Sequence, residues 1–103
     1  MFTITGIVGP TGKYLVSGMA VTSKVDAVLK LAFENNTAGT NLALCAGTPA
    51  EFNAGTAAIQ LSDSGGPGFK FLTIVDVGTI ANMVIYVLRR VGTANSEFTL
   101  TVD

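Results

Sequence analysis

The chain contains no histidine and no tryptophan, one cysteine (Cys45), and only six basic and seven acidic residues among 103. Each shortage excludes a class of protein. Without histidine, the commonest general base, the commonest metal ligand and the usual activator of a serine or cysteine nucleophile are missing. A lone cysteine forms no internal disulfide and makes no metal site, so the fold stands on burial alone or on subunit contacts. Charged residues are 13% of the chain, against roughly 25% in an ordinary soluble domain. A net charge of −1 with scattered basic residues leaves no electrostatic footprint for nucleic acid or for an anionic membrane. No segment reaches the roughly 20 apolar residues of a membrane-spanning helix, because Lys70, Asp76 and Asn82 interrupt the most apolar region. The first residues have no basic start and no long apolar centre, and so do not read as a secretion signal.

What is abundant is apolar or small. Hydrophobic residues make up 49% of the chain and mean hydropathy is +0.53, with Thr, Ala, Gly and Asn filling much of the polar share. Large exposed apolar patches are rare on free monomers, so this composition implies that another subunit covers part of the surface; a well-buried monomeric sandwich is the blander alternative. The length suits one domain, residues 1–103, with a modest core.

The pattern along the chain is that of short strands. Ile80 to Arg90 is the longest nearly unbroken apolar run and reads as a central strand. Glu97 to Val102 alternates Phe98 and Leu100 with Thr99 and Thr101, and reads as its hairpin partner across Gly92 to Ser96. Phe2 and Ile4 alternate with Thr3 and Thr5 in a first strand, a turn follows at Gly9-Pro-Thr-Gly12, and Lys13 to Val21 reads as the second strand. Ser23 to Asn36 fits two patterns. As a strand it places Val25, Ala27, Leu29, Leu31 and Phe33 on one face; as a helix it has Ser23 at the N-cap and apolar residues at helical spacing. The strand is preferred for its even spacing with its neighbours. Asn41 to Ala46 returns from a loop at 35–40 as a hairpin, Pro49 to Phe52 suits one helical turn, and Ala57 to Leu61 is a short edge strand. Ser62-Asp-Ser-Gly-Gly-Pro-Gly68 is the strongest breaker and is expected to be a loop, after which Phe69 to Asp76 and Ile80 to Arg90 form another hairpin. The expected fold is all-β, about eight strands in an antiparallel sandwich, jelly-roll-like, with an immunoglobulin-like order or one helix at 23–36 as alternatives.

Motifs that would carry chemistry do not hold up. Asp63-Ser64-Gly65-Gly66-Pro67 resembles the nucleophile segment of trypsin-like serine proteases over five residues, but Ser62 replaces that family's preceding Gly. The resemblance implies a Ser64 nucleophile activated by a histidine, and no histidine exists to form the triad. The acids stand singly, so no carboxylate pair for glycoside hydrolysis emerges; Asp76 is the one placed to pair with Arg89 across the expected hairpin. Oxygen ligands for calcium at Asn35, Asn36 or Asp63 lack the D-x-D-x-D-G run. The glycines precede a strand rather than a helix, and no Gly-Lys-Ser/Thr is present, so they make no phosphate loop. Cys45, in an apolar strand without a histidine, reads as a small buried hydrophobe. No catalytic residue, cofactor or metal is expected.

The expectation is therefore a non-enzymatic structural or assembly protein that binds itself or a larger protein lattice such as a capsid shell. The kind of protein that matches is a viral or phage particle component of the capsid decoration or cement type, located in the virion. Burial of a sheet face or strand edge would supply the energy, with Arg89, Arg90, Asp63 and Glu51 as rim residues setting register. A carbohydrate-binding or adhesion module is the alternative, weakened by the absence of Trp and by Tyr14 and Tyr86 falling in strand positions expected to be interior.

Overall fold

Between residues 28 and 35 the side chains alternate: Leu29, Leu31, Phe33 and Asn35 are buried, whereas Lys30, Ala32 and Glu34 lie on the other face. A period of two with one apolar face makes a half-buried strand, and this settles Val28–Asn35 as β3 rather than helix. The computed structural model describes residues 2–9, 12–16, 28–57, 59–67, 70–76, 82–91 and 94–102. Expectations about 17–27, including the start of the ambiguous segment, lie outside the described residues.

The elements in chain order are β1 (Phe2–Val8), β2 (Lys13–Leu15), β3, β4 (Asn41–Gly47), α1 (Pro49–Ala54), β5 (Ile59–Gly65), β6 (Lys70–Asp76), β7 (Val84–Val91) and β8 (Ser96–Val102). They form two four-stranded antiparallel sheets, with orders β1-β8-β3-β6 and β2-β7-β4-β5. The pairs β1·β8, β2·β7, β3·β6 and β4·β5 are the successive rungs of one long hairpin wound into two sheets. That is the strand order of a jelly roll. Val8, Leu29, Leu31, Phe33, Phe98, Leu100 and Val102 of the first sheet face Val16, Leu42, Leu44, Ala46, Met83, Ile85 and Val87 of the second, forming the core.

Several expected pairings are corrected by this topology. β7 is central, between β2 and β4, but β8 is not its partner; β8 lies in the other sheet between β1 and β3. Likewise β3 and β4 form no hairpin, and neither do β6 and β7, because each connection crosses from one sheet to the other. Apart from β4 and β5, which pair within one sheet, sequence neighbours here lie across the sandwich from each other, and local turn signals cannot distinguish that crossing from a hairpin. Asp76 stands opposite Val28 and Arg89 opposite Leu42, so they are not a cross-strand pair.

The segment expected to be a loop at 62–68 is also corrected over 62–66, Gly68 lying outside the described residues. β5 runs through to Gly65, with Ser62, Asp63 and Ser64 opposite Leu44, Ala43 and Leu42, and Gly66 makes an isolated bridge to Ala38. Pairing with the buried β4 overrides the turn preference of Ser, Asp and Gly. The register shifts between Leu44 and Cys45, which makes Leu61 the extra residue of a bulge. At the other end of the apolar run, β7 starts at Val84, and Asn82 adopts a left-handed φ of 59° ahead of it.

Candidate interaction surface

Both faces of β7 are apolar, and each is covered. Met83, Ile85 and Val87 enter the core, whereas Tyr86 and Leu88 point to the opposite side, where they cluster with Ala43 and Cys45 of β4. The cover is α1 and the turn after it. Thr48 caps the helix by accepting from the Glu51 N–H at 3.2 Å, and the Glu51 carboxylate accepts from the Thr48 N–H at 2.8 Å. Pro49 opens the helix and Gly55 closes it in the left-handed conformation. Phe52 then packs edge-on against Tyr86 with ring centroids 5.5 Å apart. Lys13 lies 5.4 Å from the centroid of the Phe52 ring and donates to the Asn53 carbonyl at 2.8 Å, joining β2 to the lid. Cys45 is fully buried beneath this cover.

At the end of the sandwich a buried polar knot ties the β3–β4 connection to β8. The Asn35 amide donates to the Thr40 carbonyl at 3.1 Å and its hydroxyl at 3.0 Å, and accepts from the Thr37 N–H at 3.0 Å and the Ser96 hydroxyl at 2.9 Å. Thr40 and Ser96 hydroxyls meet at 2.8 Å. These groups satisfy one another, so Asn35 is spent on structure and offers no open ligand set. Among the described residues no group of three or more Asp, Glu, Cys or His side chains converges, and no helix is long and apolar enough to cross a membrane.

The four rim candidates fall on three elements, with Arg89 and Arg90 both on β7. Glu51 caps α1. Arg89 is half-buried, donating from Nη2 to the Val8 carbonyl at 2.5 Å, while its backbone N–H donates to the Gly12 carbonyl. It therefore fastens β7 to the end of β1 and the following turn. Asp63 lies on the edge strand β5, and Arg90 is the extra residue where β7 shifts register against β4.

The exposed large hydrophobic side chains include Ile7 on β1, Leu15 on β2 and Ile59 on β5, but the most exposed lie together on the outer face of the first sheet. Leu72 is 81% exposed and Ile74 64% exposed, both on the edge strand β6. With Lys30, Ala32 and Thr101 they line a shallow depression of about 390 Å³. The outward positions of β1 and β8 beside them are largely threonines: Thr3, Thr5, Thr99 and Thr101. The sequence placed Leu72 and Ile74 in a strand but did not single them out, because β6 is apolar at both alternating positions and its pattern does not say which set faces inward. Comparison with protein-family models, curated proteins and solved structures finds no match.

Proposed function

We propose that this protein is a non-enzymatic structural component that works by assembly, its jelly-roll sandwiches contacting one another in a viral or phage particle. The observation that carries the assembly reading is the exposed Leu72 and Ile74 pair on an edge strand. Unpaired strand edges with aliphatic side chains favour joining to another chain, and soluble proteins ordinarily blunt them. The low charge of the chain supports the same reading, since little repulsion opposes close subunit contact. The viral assignment rests on the jelly-roll architecture, which capsid domains share with lectins and cupins, and so is an analogy of fold. A sugar-binding reading lacks an aromatic platform, because Tyr86 is buried under α1 and Tyr14 packs edge-on against Phe98.

Multi-angle light scattering over a concentration series from micromolar to submillimolar tests the proposal. Mass increasing with concentration is the expected result. A single monomeric mass throughout overturns it.

A further inference from the structure

We infer that β6 pairs with β6 of a second copy of this chain, antiparallel about a two-fold axis at Thr73, joining two four-stranded sheets into one. This rests on the assembly reading above and names its interface. The argument starts from the strand's sequence, Lys70-Phe71-Leu72-Thr73-Ile74-Val75-Asp76. In an antiparallel pair centred on Thr73, Lys70 stands opposite Asp76 of the other copy and Asp76 opposite its Lys70. Leu72 and Ile74 stand opposite Ile74 and Leu72. Opposite charges and aliphatic pairs at directly facing positions are the favourable cross-strand combinations, and a two-fold axis provides each of them twice. Any other register leaves Lys70 and Asp76 without an opposite charge, so the ends of the strand select this one.

The fold supplies further reasons. Among the described residues β6 is terminal in its sheet, hydrogen-bonding on one side with β3. Glu34 of β3 is in register with Lys70, so the combined sheet would carry the row Glu34, Lys70, then Asp76 of the second copy, alternating in sign. The exposed Leu72 and Ile74 would meet their counterparts across the axis, so that the aliphatic strip continues from one copy to the other. The competing edges are less suited. β2 has only three residues, β5 is interrupted by the bulge at Leu61, and β1 carries no charge to fix a register. A seven-residue edge buries less than the roughly 1,600 Å² of a standard interface, so the pair is expected to depend on concentration.

Two experiments on the full chain test this. Leu72→Cys and Ile74→Cys variants are prepared separately, and disulfide formation is followed in each and in their mixture; native Cys45 is buried and does not interfere. The expected result is faster cross-linking in the mixture, since only there do facing positions both carry cysteine. In the second experiment, Asp76→Lys and Lys70→Asp are each predicted to dimerise about ten-fold more weakly than wild type, because each places like charges opposite twice. Mixing them restores dimerisation, because every facing pair is then opposite in sign. Thermal melts of each variant alone separate loss of pairing from loss of fold. If wild type assembles yet neither mixture behaves differently from its components, β6 pairing is overturned while assembly through another surface stands. Open fibres in place of closed dimers also overturn it, since they indicate head-to-tail pairing of β6 with a different edge. A monomer at every concentration overturns both this inference and the assembly reading.

Discussion

The Tyr86 hydroxyl donates a 2.6 Å hydrogen bond to the Thr56 carbonyl, fastening the segment after α1 onto the middle of β7. Through that bond and the Phe52 ring above it, the outer face of the second sheet becomes a small second core. The outer face of the first sheet has no such cover among the described residues, and there Leu72 and Ile74 remain exposed. The two sheets therefore differ in how much of their outer face is covered, although Leu15 and Ile59 of the second sheet are also exposed.

Loosening the lid should be readable at Cys45. Phe52→Ala removes the ring that packs on Tyr86 and beneath Lys13. Since Phe52 is only half-buried, the expected loss is about 1–2 kcal/mol, below the range for a fully buried phenylalanine. The Cys45 thiol should then react faster with a thiol reagent under native conditions. Tyr86→Phe, which loses one hydrogen bond but keeps the ring, should cost about 1 kcal/mol and leave labelling closer to wild type. Equal labelling in all three proteins would show that the lid does not gate access to Cys45.

The lid also shows what was legible in the sequence. Thr48-Pro49-Ala50-Glu51 has the spacing of a capping box with proline at the first helical position, so a helical turn was readable there, but its target was not. Tyr86 and Cys45 lie 41 residues apart and meet only because β4 and β7 are neighbours in the sheet. Strand positions were readable for the same local reason, from the alternation of Leu29, Leu31 and Phe33 with Lys30 and Glu34. Strand partners were not, since every connection except β4 to β5 crosses the sandwich, and loop composition at 92–96 is the same for a crossing as for a hairpin. The exposed pair on β6 was hidden by the strand's own sequence: Phe71, Thr73 and Val75 are as apolar a set as Leu72 and Ile74, and the alternation alone does not say which faces outward.

A glycine in β1 provides a packing test. A Cβ added at Gly6 would lie 2.7 and 2.8 Å from atoms of the Phe98 ring and 2.9 Å from the Tyr14 ring. Those rings hold each other edge-to-face at 5.1 Å and 81°, so neither moves without breaking the contact. Gly6→Ala should therefore destabilise by about 1–3 kcal/mol, as overpacked cores do. At Gly65 the added Cβ would meet nothing within 4 Å, and Gly65→Ala should stay within about 0.5 kcal/mol of wild type. Urea unfolding of the two variants gives the comparison.

The knot around Asn35 should behave as a unit. Asn35→Ala strips partners from Thr37, Thr40 and Ser96 together, all at a site where Asn35, Thr40 and Ser96 are buried. A loss of about 3 kcal/mol is expected, because several buried groups lose their partners. Thr40→Val, combined with Asn35→Ala, should cost less than the sum of the two single changes. Additive losses in that double-mutant cycle would contradict the coupling.

Two buried serines should respond to alanine with opposite sign. The Ser62 hydroxyl, carried inward beside the Leu61 bulge, is buried with no hydrogen-bond partner among the described residues. The Ser96 hydroxyl, on a fully buried residue, joins Asn35 at 2.9 Å and Thr40 at 2.8 Å. An unpaired buried hydroxyl gives up its hydration for nothing in return, so Ser62→Ala should stabilise by up to about 1 kcal/mol. In a domain of this size that corresponds to a rise in melting temperature of roughly 4–8 °C. Ser96→Ala leaves the Asn35 carbonyl oxygen short of a donor and should lower the melting temperature by a similar amount or more. A fall in both melting temperatures would mean that Ser62 finds a partner that the described geometry does not contain.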